Sequence, residues 1–589
     1  MRSLTFTTIW EQIRSQSAHF WRSNFYGLLT TLLLLPLPLL IPLLIDEILL
    51  NHPGKLTRFF STYLNSHEPG VMIVSVTGLI LVLRGVAFWT ANRQTYHALR
   101  ISQRLAYSLR HRILYHLERL ALPEYERMRS GGIVTRSMQD VETLARFLSQ
   151  VVTTALSASL MLLGVAAILL WIHWQMALLV FLINPLFFGV AKILGRKSGK
   201  YLRRQHEAYQ HYHELLTEVL ELFVQVRAGN QERHFFGLVR ERAKGIEKAS
   251  LESGYQATRI SRSSALMTTS ASDILRALGI AAVVYSNLSI GMMIAFLFYL
   301  STLTQPMNQL LNLLIGYRRT LPALERVNDL FALEQEPLFP QKYNPFREKK
   351  AVAVAMESVS FSYPEGGEVL HRLTLKIQAG EHVALVGPSG NGKSTVAKLL
   401  IGFYLPNEGS ILYEDIPIQE IGLERIRSHV GLMLQDSLFF NDTIRMNLTL
   451  GREIPEKKIY ESLRMAQMES FVRHLDAGLD TSIGRNGIRL SGGQRQRLAI
   501  ARLILSDPEL VIFDEATSAL DGETEAKLFR SLRPFLADRT VLIIAHRETT
   551  IRQARRILVM RQGTITADGS YTDLKKSGML PRDFDEIEI

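Results

Sequence analysis

Six stretches of about 20 apolar-rich residues, at 25–47, 71–91, 147–172, 175–195, 264–287 and 291–315, decide most of what the first half of this chain can become. Inside hydrocarbon no water satisfies a backbone N–H or C=O, so runs of this length cross as α-helices. The sequence therefore predicts an all-α polytopic membrane domain over 24–335, preceded by an interfacial helix over 1–23. In that helix Trp10, Ile13, Phe20 and Trp21 share a short segment with Gln12, Arg14 and Arg22. Pro36, Pro38 and Pro42 predict a kink in the first run. Phe25 to Ile45 is too long for the apolar part of a secretory signal.

The links between the runs are uneven. Those after the third and fifth are a few residues long, and 48–70 carries Lys55 and Arg58. Those after the second and fourth are long and basic, with Arg93, Arg100, Arg104, Arg110, Arg112 and Arg119 in one and Arg196, Lys197, Lys200, Arg203 and Arg204 in the other. The positive-inside rule puts both long links and both termini in the cytoplasm of a cell (inner) membrane. Ile101, Leu105, Leu109, Ile113, Leu117 and Leu120 recur at helical spacing. A helix from about 90 to 121 would reach roughly 45 Å past the membrane. Pro123–Glu126 is expected to break it and Ser130–Gly132 to turn it, and a second hairpin is centred on Glu214–Val226.

Net charge is +12, and the arginines beside the spans account for it without a nucleic-acid partner. The absence of cysteine excludes disulfides, thiolate zinc sites and iron–sulfur clusters held by this chain. Arg84 lies in the second run, and Asp273 and Arg276, three apart, share a face of the fifth. Thr302, Gln305 and Asn308 make the sixth run polar for a lipid-facing helix. These residues are candidates for a substrate cavity that receives a charged head group; an internal ion pair and polar helix packing are the structural readings beside it.

Residues 336–350 mix charge with Pro337, Pro340 and Pro345 and read as a linker. From 351 to 589 strand and helix patterns alternate, predicting an α/β domain with a mostly parallel sheet. The strand His382–Val386 runs into Gly387, Pro388, Ser389, Gly390, Asn391, Gly392, Lys393 and Ser394, followed by Thr395. This fits G-x-x-x-x-G-K-[ST], a loop whose amides wrap phosphates, whose lysine reaches the outer phosphates and whose hydroxyl binds magnesium. Downstream, Ser491, Gly492, Gly493 and Gln494 open a helix, a second anion site by its bare amides and dipole. The buried-strand pattern Leu510–Phe513 ends in Asp514 and Glu515, acids suited to a metal ion and a polarised water.

The three motifs together resemble the nucleotide-binding domain of ATP-binding cassette (ABC) proteins, and the rest of the chain resembles an exporter-type half-transporter. The resemblance implies further roles. Tyr363 in FSYPEGG stacks on adenine. Gln435 in GLMLQDSLFF contacts the metal and the docking links. His546, after Val541–Ala545, contacts the terminal phosphate, and Ser518–Asp521 forms a loop across a dimer interface. Asp514 helps to hold Mg2+, Glu515 activates water, and Lys393 and Ser394 stabilise the transferring phosphoryl group. PEYERMRSGGIVTRSMQDVE and ELLTEVLELFVQVRAGNQE are similar to the family's docking links. Thr481–Gly487 departs from the family pattern, with Arg485 where a glutamate is usual.

The expected function is ATP-driven export or flipping of an amphipathic, lipid-like, drug-like or peptide substrate by alternating access, with ATP and Mg2+ required. Six spans and one cassette imply pairing with a second half-transporter, a homodimer first and a heterodimer second. Import of a metal chelate such as a siderophore, and nucleotide-gated regulation, are the alternatives.

Overall fold

The computed structural model describes residues 4–50, 54, 58, 68–285, 288–364, 366–435, 437–545 and 547–580; side chains at 6, 129–130, 183–199, 264, 268, 271–272 and 485 are outside the description. The first part of the chain is carried by α1 (Phe6–Ser15), α2 (Ser17–Leu34), α3 (Pro69–Leu117), α4 (Leu122–Thr135), α5 (Val141–Glu221), α6 (Phe223–Ala228), α7 (Glu232–Tyr285) and α8 (Ile290–Ala332). By internal contacts the chain divides into two compact units. One comprises 1–114 with 133–332, the other 115–132 with 333–589.

In the first unit the prolines act where the sequence places them. α2 stops before Pro36, and the chain continues through a 3-10 turn at Leu37–Leu39 and a π-helical stretch at Leu43–Leu49. The Leu39 amide bonds Pro36 O at 3.0 Å, one residue short of the α-helical partner. The Leu35 carbonyl instead accepts the Tyr299 hydroxyl at 2.6 Å, so a neighbouring helix satisfies what the kink releases. Further along, Asp46 accepts from Gly291 N at 2.8 Å and from Ser289 Oγ at 2.5 Å and so caps the start of α8. α5 is interrupted at His173 (φ −160°, ψ 98°), where the sequence predicts the short link between the third and fourth runs. Val165, Leu169, Val180, Leu275, Phe296 and Leu303 form a buried core shared by α5, α7 and α8.

Among the described residues four helices are long and apolar enough to cross a membrane: Ser17–Leu49, Pro69–Leu117, Gly131–Leu182 and Ile290–Ala332. They carry the first, second, third and sixth expected spans. The fourth and fifth lie on helical backbone in α5 and α7 but include residues outside the description.

One local expectation fails. Ser130–Gly132 does not turn the chain; it stays helical to Thr135 in α4. The break falls earlier, between Leu117 and Leu122, and Pro123 sits in the first turn of α4, where its missing amide costs nothing. Helix continuity outweighs the paired glycines, and Gly131 meets no neighbour that a side chain would strike. In the second long link the break is at Leu222, followed by α6 and by Asn230 in the left-handed region (φ 54°).

The second unit is built on two sheets. β1 (Val354–Ser362), β2 (Glu368–Ile377), β4 (Glu408–Tyr413) and β5 (Ile416–Pro417) form an antiparallel sheet in the order β2-β1-β4-β5. β3 (His382–Val386), β6 (Val430–Met433), β7 (Leu510–Asp514), β8 (Thr540–Ile544), β9 (Arg556–Arg561) and β10 (Thr564–Gly569) form the other, in the order β10-β9-β3-β8-β7-β6. Its pairs are parallel except β9–β10. Successive side chains on a strand face opposite ways. Ala384, Val386, Val511, Phe513, Val541 and Ile543 therefore enter one core. Val383, Leu385, Leu510, Ile512, Leu542 and Ile544 enter the other. A sheet buried on both faces explains why these strands read as unbroken apolar runs. The antiparallel sheet was not separable in the sequence from the parallel one.

Candidate nucleotide site

The parallel strands set the site. In register, Asp514 lies beside Ile544, and Phe513 lies between Met433 and Ile543. β3, β6, β7 and β8 thus end along one edge, where Gly387 follows β3, Glu515 follows β7 and Ala545 follows β8, with Gln435 two residues beyond the end of β6. Ligands of open parallel sheets bind at such carboxyl ends. His546 itself lies outside the described residues.

Gly387 has φ 155°, and a Cβ there would lie 2.1 Å from the Met560 carbonyl oxygen on β9, so the residue must be glycine. Gly390 and Gly392 also hold positive φ, and Gly392 leads into the helix α9 (Lys393–Leu400). Asn391 Nδ2 donates to Pro388 O at 3.0 Å, and its Oδ1 accepts from Gln562 N at 2.9 Å, which fixes the loop to the β9–β10 turn. Ser389 belongs to the exposed part of the loop. Lys393 is 6% exposed, and its ammonium donates to Gly387 O at 2.7 Å and Pro388 O at 2.9 Å. Burial pulls its pKa down, opposed by the charges of Glu515 and Asp514.

Ser394 Oγ donates to Asp514 Oδ1 at 3.0 Å. A hydroxyl and a carboxylate brought to one point are hard oxygen donors, a fit to Mg2+ completed by phosphate oxygens. Among the described residues no group of three or more acidic or histidine side chains could hold a metal by itself. Glu515 turns out of β7 in the left-handed region at φ 50°, with its amide donating to Ile544 O at 3.1 Å. Such a conformation costs of order 1 kcal/mol for a side-chain residue and is concentrated at working sites.

Tyr363 reaches the loop's helix, its hydroxyl 3.1 Å from Thr395 Oγ1. Phe361 and Tyr404 pack edge-on to its ring at 5.0 and 5.2 Å, and the Lys398 ammonium lies 5.7 Å from its centroid. The remaining expected residues stand apart from the loop. Ser491 caps α10 (Gly492–Ser506): its Oγ accepts from Gln494 N at 3.2 Å while Gln494 Oε1 accepts from Ser491 N at 2.8 Å. This box secures the helix start by about 1 kcal/mol. Gln435, Gly492, Gln496, Ser518 and Ala519 line an open groove of about 650 Å³. Asp521 caps α11 (Gly522–Leu536), accepting from Thr524 N at 2.9 Å, and that bond draws its carboxyl below the usual range.

Three positions were missed by the sequence reading. Glu525, 2% exposed, accepts from Thr517 Oγ1 at 2.6 Å and Thr550 Oγ1 at 2.5 Å. Arg547 donates to Leu520 O at 2.6 Å and Ser518 O at 2.9 Å. Gln496 bonds Ser518 Oγ at 3.1 Å and Ala519 N at 3.1 Å. Together they tie the segment 517–520 to the end of β8 and to α10. A signal existed for Glu525, an acid on the same helical face as Leu528 and Leu532.

In the membrane unit, Arg276 pairs with Asp273 at 3.0 Å, both largely exposed. Thr302 Oγ1 donates to Tyr299 O at 2.8 Å, a local bond along α8. Arg84, Gln305 and Asn308 are exposed.

Family comparisons agree with this geometry. The description "ABC transporter transmembrane region" matches residues 47–307, and "ABC transporter" matches 370–518. An ATP-dependent lipid A-core flippase of Alcanivorax borkumensis is 31% identical over 529 residues, covering 88% of this chain and 89% of the relative. The chain belongs to the ABC transporter family. A flippase of the same description from Chromobacterium violaceum is 33% identical over 86% of each chain. An uncharacterized ABC transporter ATP-binding protein of Bacillus subtilis is 31% identical over 90% of this chain and 92% of its own. The structure of a bacterial Atm1-family ABC exporter with ATP bound shares the fold at TM-score 0.76 and 24% identity, covering 96% and 97% of the two chains. This ABC transporter is an ATP-driven exporter or flippase, a multi-pass membrane half-transporter whose cassette binds ATP and whose fold implies a dimer.

Proposed function

We propose that two copies of this chain form a homodimer that moves a lipid-like amphiphile with a charged head group from the inner leaflet outward. The reading rests on the flippases that match most of the chain. Intramembrane Arg84 and Arg276 agree with an anionic head group, which they would meet in a cavity lined also by Asp273, Thr302, Gln305 and Asn308. Both termini and the cassette face the cytoplasm, as the basic links predict.

In the mechanism we infer, the amides of Gly387–Ser394 and the Lys393 ammonium hold the phosphates of ATP, exchanging the lysine's two loop carbonyls for phosphate oxygens. Ser394 and Asp514 would hold Mg2+, which would supply positive charge to offset that of the phosphates. Tyr363 stacks on adenine. The α10 start of the partner, with its Ser491–Gln494 box, closes over the terminal phosphate across the dimer. Glu515 takes the proton of the attacking water, with Gln435 and His546 ordering water and phosphate. Hydrolysis releases the two cassettes, and the docking links pass the opening to the spans.

The test is reconstitution into vesicles with a fluorescent lipid carrying an anionic head group. With ATP outside the vesicles, ATP-dependent loss of label from the cassette-facing outer leaflet, reduced by Arg84→Ala or Arg276→Ala while basal ATPase persists, is expected. Flux in the opposite direction, or ATPase without flux of any lipid, rules the reading out.

A further inference from the structure

α1 and α2 lie along the part of α3 that continues past its apolar run. Gln12 Nε2 donates to Ser108 Oγ at 3.2 Å, Ser23 Oγ donates to Gln94 O at 3.0 Å, and His19 Nδ1 sits 3.0 Å from His97 Nδ1. Tyr26 stacks on His97 with ring centroids 5.9 Å apart. Between the two elements runs a groove of about 680 Å³ lined by His19, Tyr96, Arg100, Gln103, Arg104 and Tyr107. A second hollow of about 440 Å³ shares His19 and Arg104 with it.

The charge in this groove is one-sided. Arg22, Arg93, Arg100 and Arg104 are the charged groups that act on the histidine pair, with no carboxylate among them. Arg100 and Arg104 form no ion pair among the described residues; Arg100 lies 5.9 Å from the Tyr96 ring. Cations grouped this closely repel one another, so an anion is the complement. The position says which kind. The groove adjoins the ends of the first two apolar runs, and the helices α1 and α2 beside it also carry Trp10 and Trp21, 53% and 69% exposed, the residue type enriched at membrane interfaces. On a helix each Cα–Cβ bond leans toward the N-terminus, which for α3 is the apolar end, so Arg100 and Arg104 reach back toward lipid.

We propose that this groove binds the phosphate-bearing head group of an anionic lipid, a site separate from the cassette and from the transport cavity. Arg100 and Arg104 contact the phosphate, Gln103 and His19 bond its ester or glycerol oxygens, and Tyr96 and Tyr107 close the sides. The site ties α1 and α2 to α3 through the lipid.

The test uses the full chain in phosphatidylcholine vesicles doped with spin-labelled phosphatidylglycerol or spin-labelled phosphatidylcholine. Electron paramagnetic resonance reads the motionally restricted fraction. Phosphatidylglycerol should be preferred by about fivefold for each arginine engaged. Arg100→Gln with Arg104→Gln should remove the preference, Arg100→Lys with Arg104→Lys should keep most of it, and inorganic phosphate should not displace the label. Equal restriction of both lipids by the parental protein overturns the proposal. So does a preference that survives the glutamine pair, one lost equally in Arg240→Gln with Arg242→Gln, which marks diffuse attraction, or one abolished by inorganic phosphate, which marks a site for a soluble anion. Should the glutamine pair fail to insert, the parental preference, the lysine pair and the phosphate competition still decide.

Discussion

The Tyr404 hydroxyl donates to Glu126 Oε2 at 2.5 Å. Glu126 lies in α4, within the segment that resembles the first docking link, and Tyr404 follows the phosphate-loop helix. Lys398 joins them, 3.7 Å from Glu126 Oε1 and 5.6 Å from the Tyr404 ring. The same ammonium stands over Tyr363, the proposed adenine platform. A base arriving on Tyr363 therefore meets a group already engaged with α4 of the docking segment. Glu126→Gln keeps an acceptor for Tyr404 but removes the charge that holds Lys398. Basal ATPase should change by no more than about twofold, in line with a modest surface pair. Stimulation by transported lipid should fall several-fold more. Parallel basal and stimulated assays in one vesicle preparation check this, and equal effects on both would refute the link.

Glu515→Gln preserves shape and hydrogen bonding but cannot accept a proton. Turnover should fall by about 10² or more, the scale of general-base catalysis, with ATP binding retained. Nucleotide trapped in the purified mutant, measured beside its hydrolysis rate, tests both halves. Parental turnover would move the base elsewhere.

Gly387→Ala places a methyl against the Met560 carbonyl and demands a φ that alanine resists. The loop must shift, at a cost of about 2 kcal/mol or more. Weaker ATP binding and a lower Tm in the presence of ATP are expected; an unchanged ATP-induced rise in Tm would mean the loop absorbs the methyl.

Lys393 gives a pH signature. Burial lowers its pKa in the empty site, whereas phosphates stabilise the ammonium and raise it again. The bound state then holds more protons than the free state once pH passes the lowered value. ATP affinity should fall as pH rises from there toward the ordinary lysine range near about 10. Calorimetry at alkaline pH in two buffers of different ionisation enthalpy should show proton uptake on binding. Proton release would contradict the assignment.

Much of this was legible from the residues because the strongest signals are local. A G-x-x-x-x-G-K-S loop after a buried strand needs no tertiary information, nor does an apolar run of helical length. The proline kink was legible for the same reason. What stayed hidden depends on distant partners. Glu525 is one acid among several until the fold surrounds it with Thr517 and Thr550. Ser130–Gly132 carries turn residues, yet the chain there stays helical. The antiparallel sheet pairs β1 with strands on both sides of the phosphate loop, a register no window of sequence contains.

Residues 115–132 group with the ATPase half although the membrane half surrounds them in sequence. Leu120 bridges to Gln335, Ala121 N donates to Glu334 O at 3.1 Å, and Leu122 packs against the cassette core. A cassette produced by cutting the gene at residue 333 would thus be missing a piece of itself. Its severed face would carry a bare apolar spot, a tyrosine without its acceptor and a lysine without its counter-charge, so solubility and nucleotide affinity measured on such a fragment would describe a damaged surface.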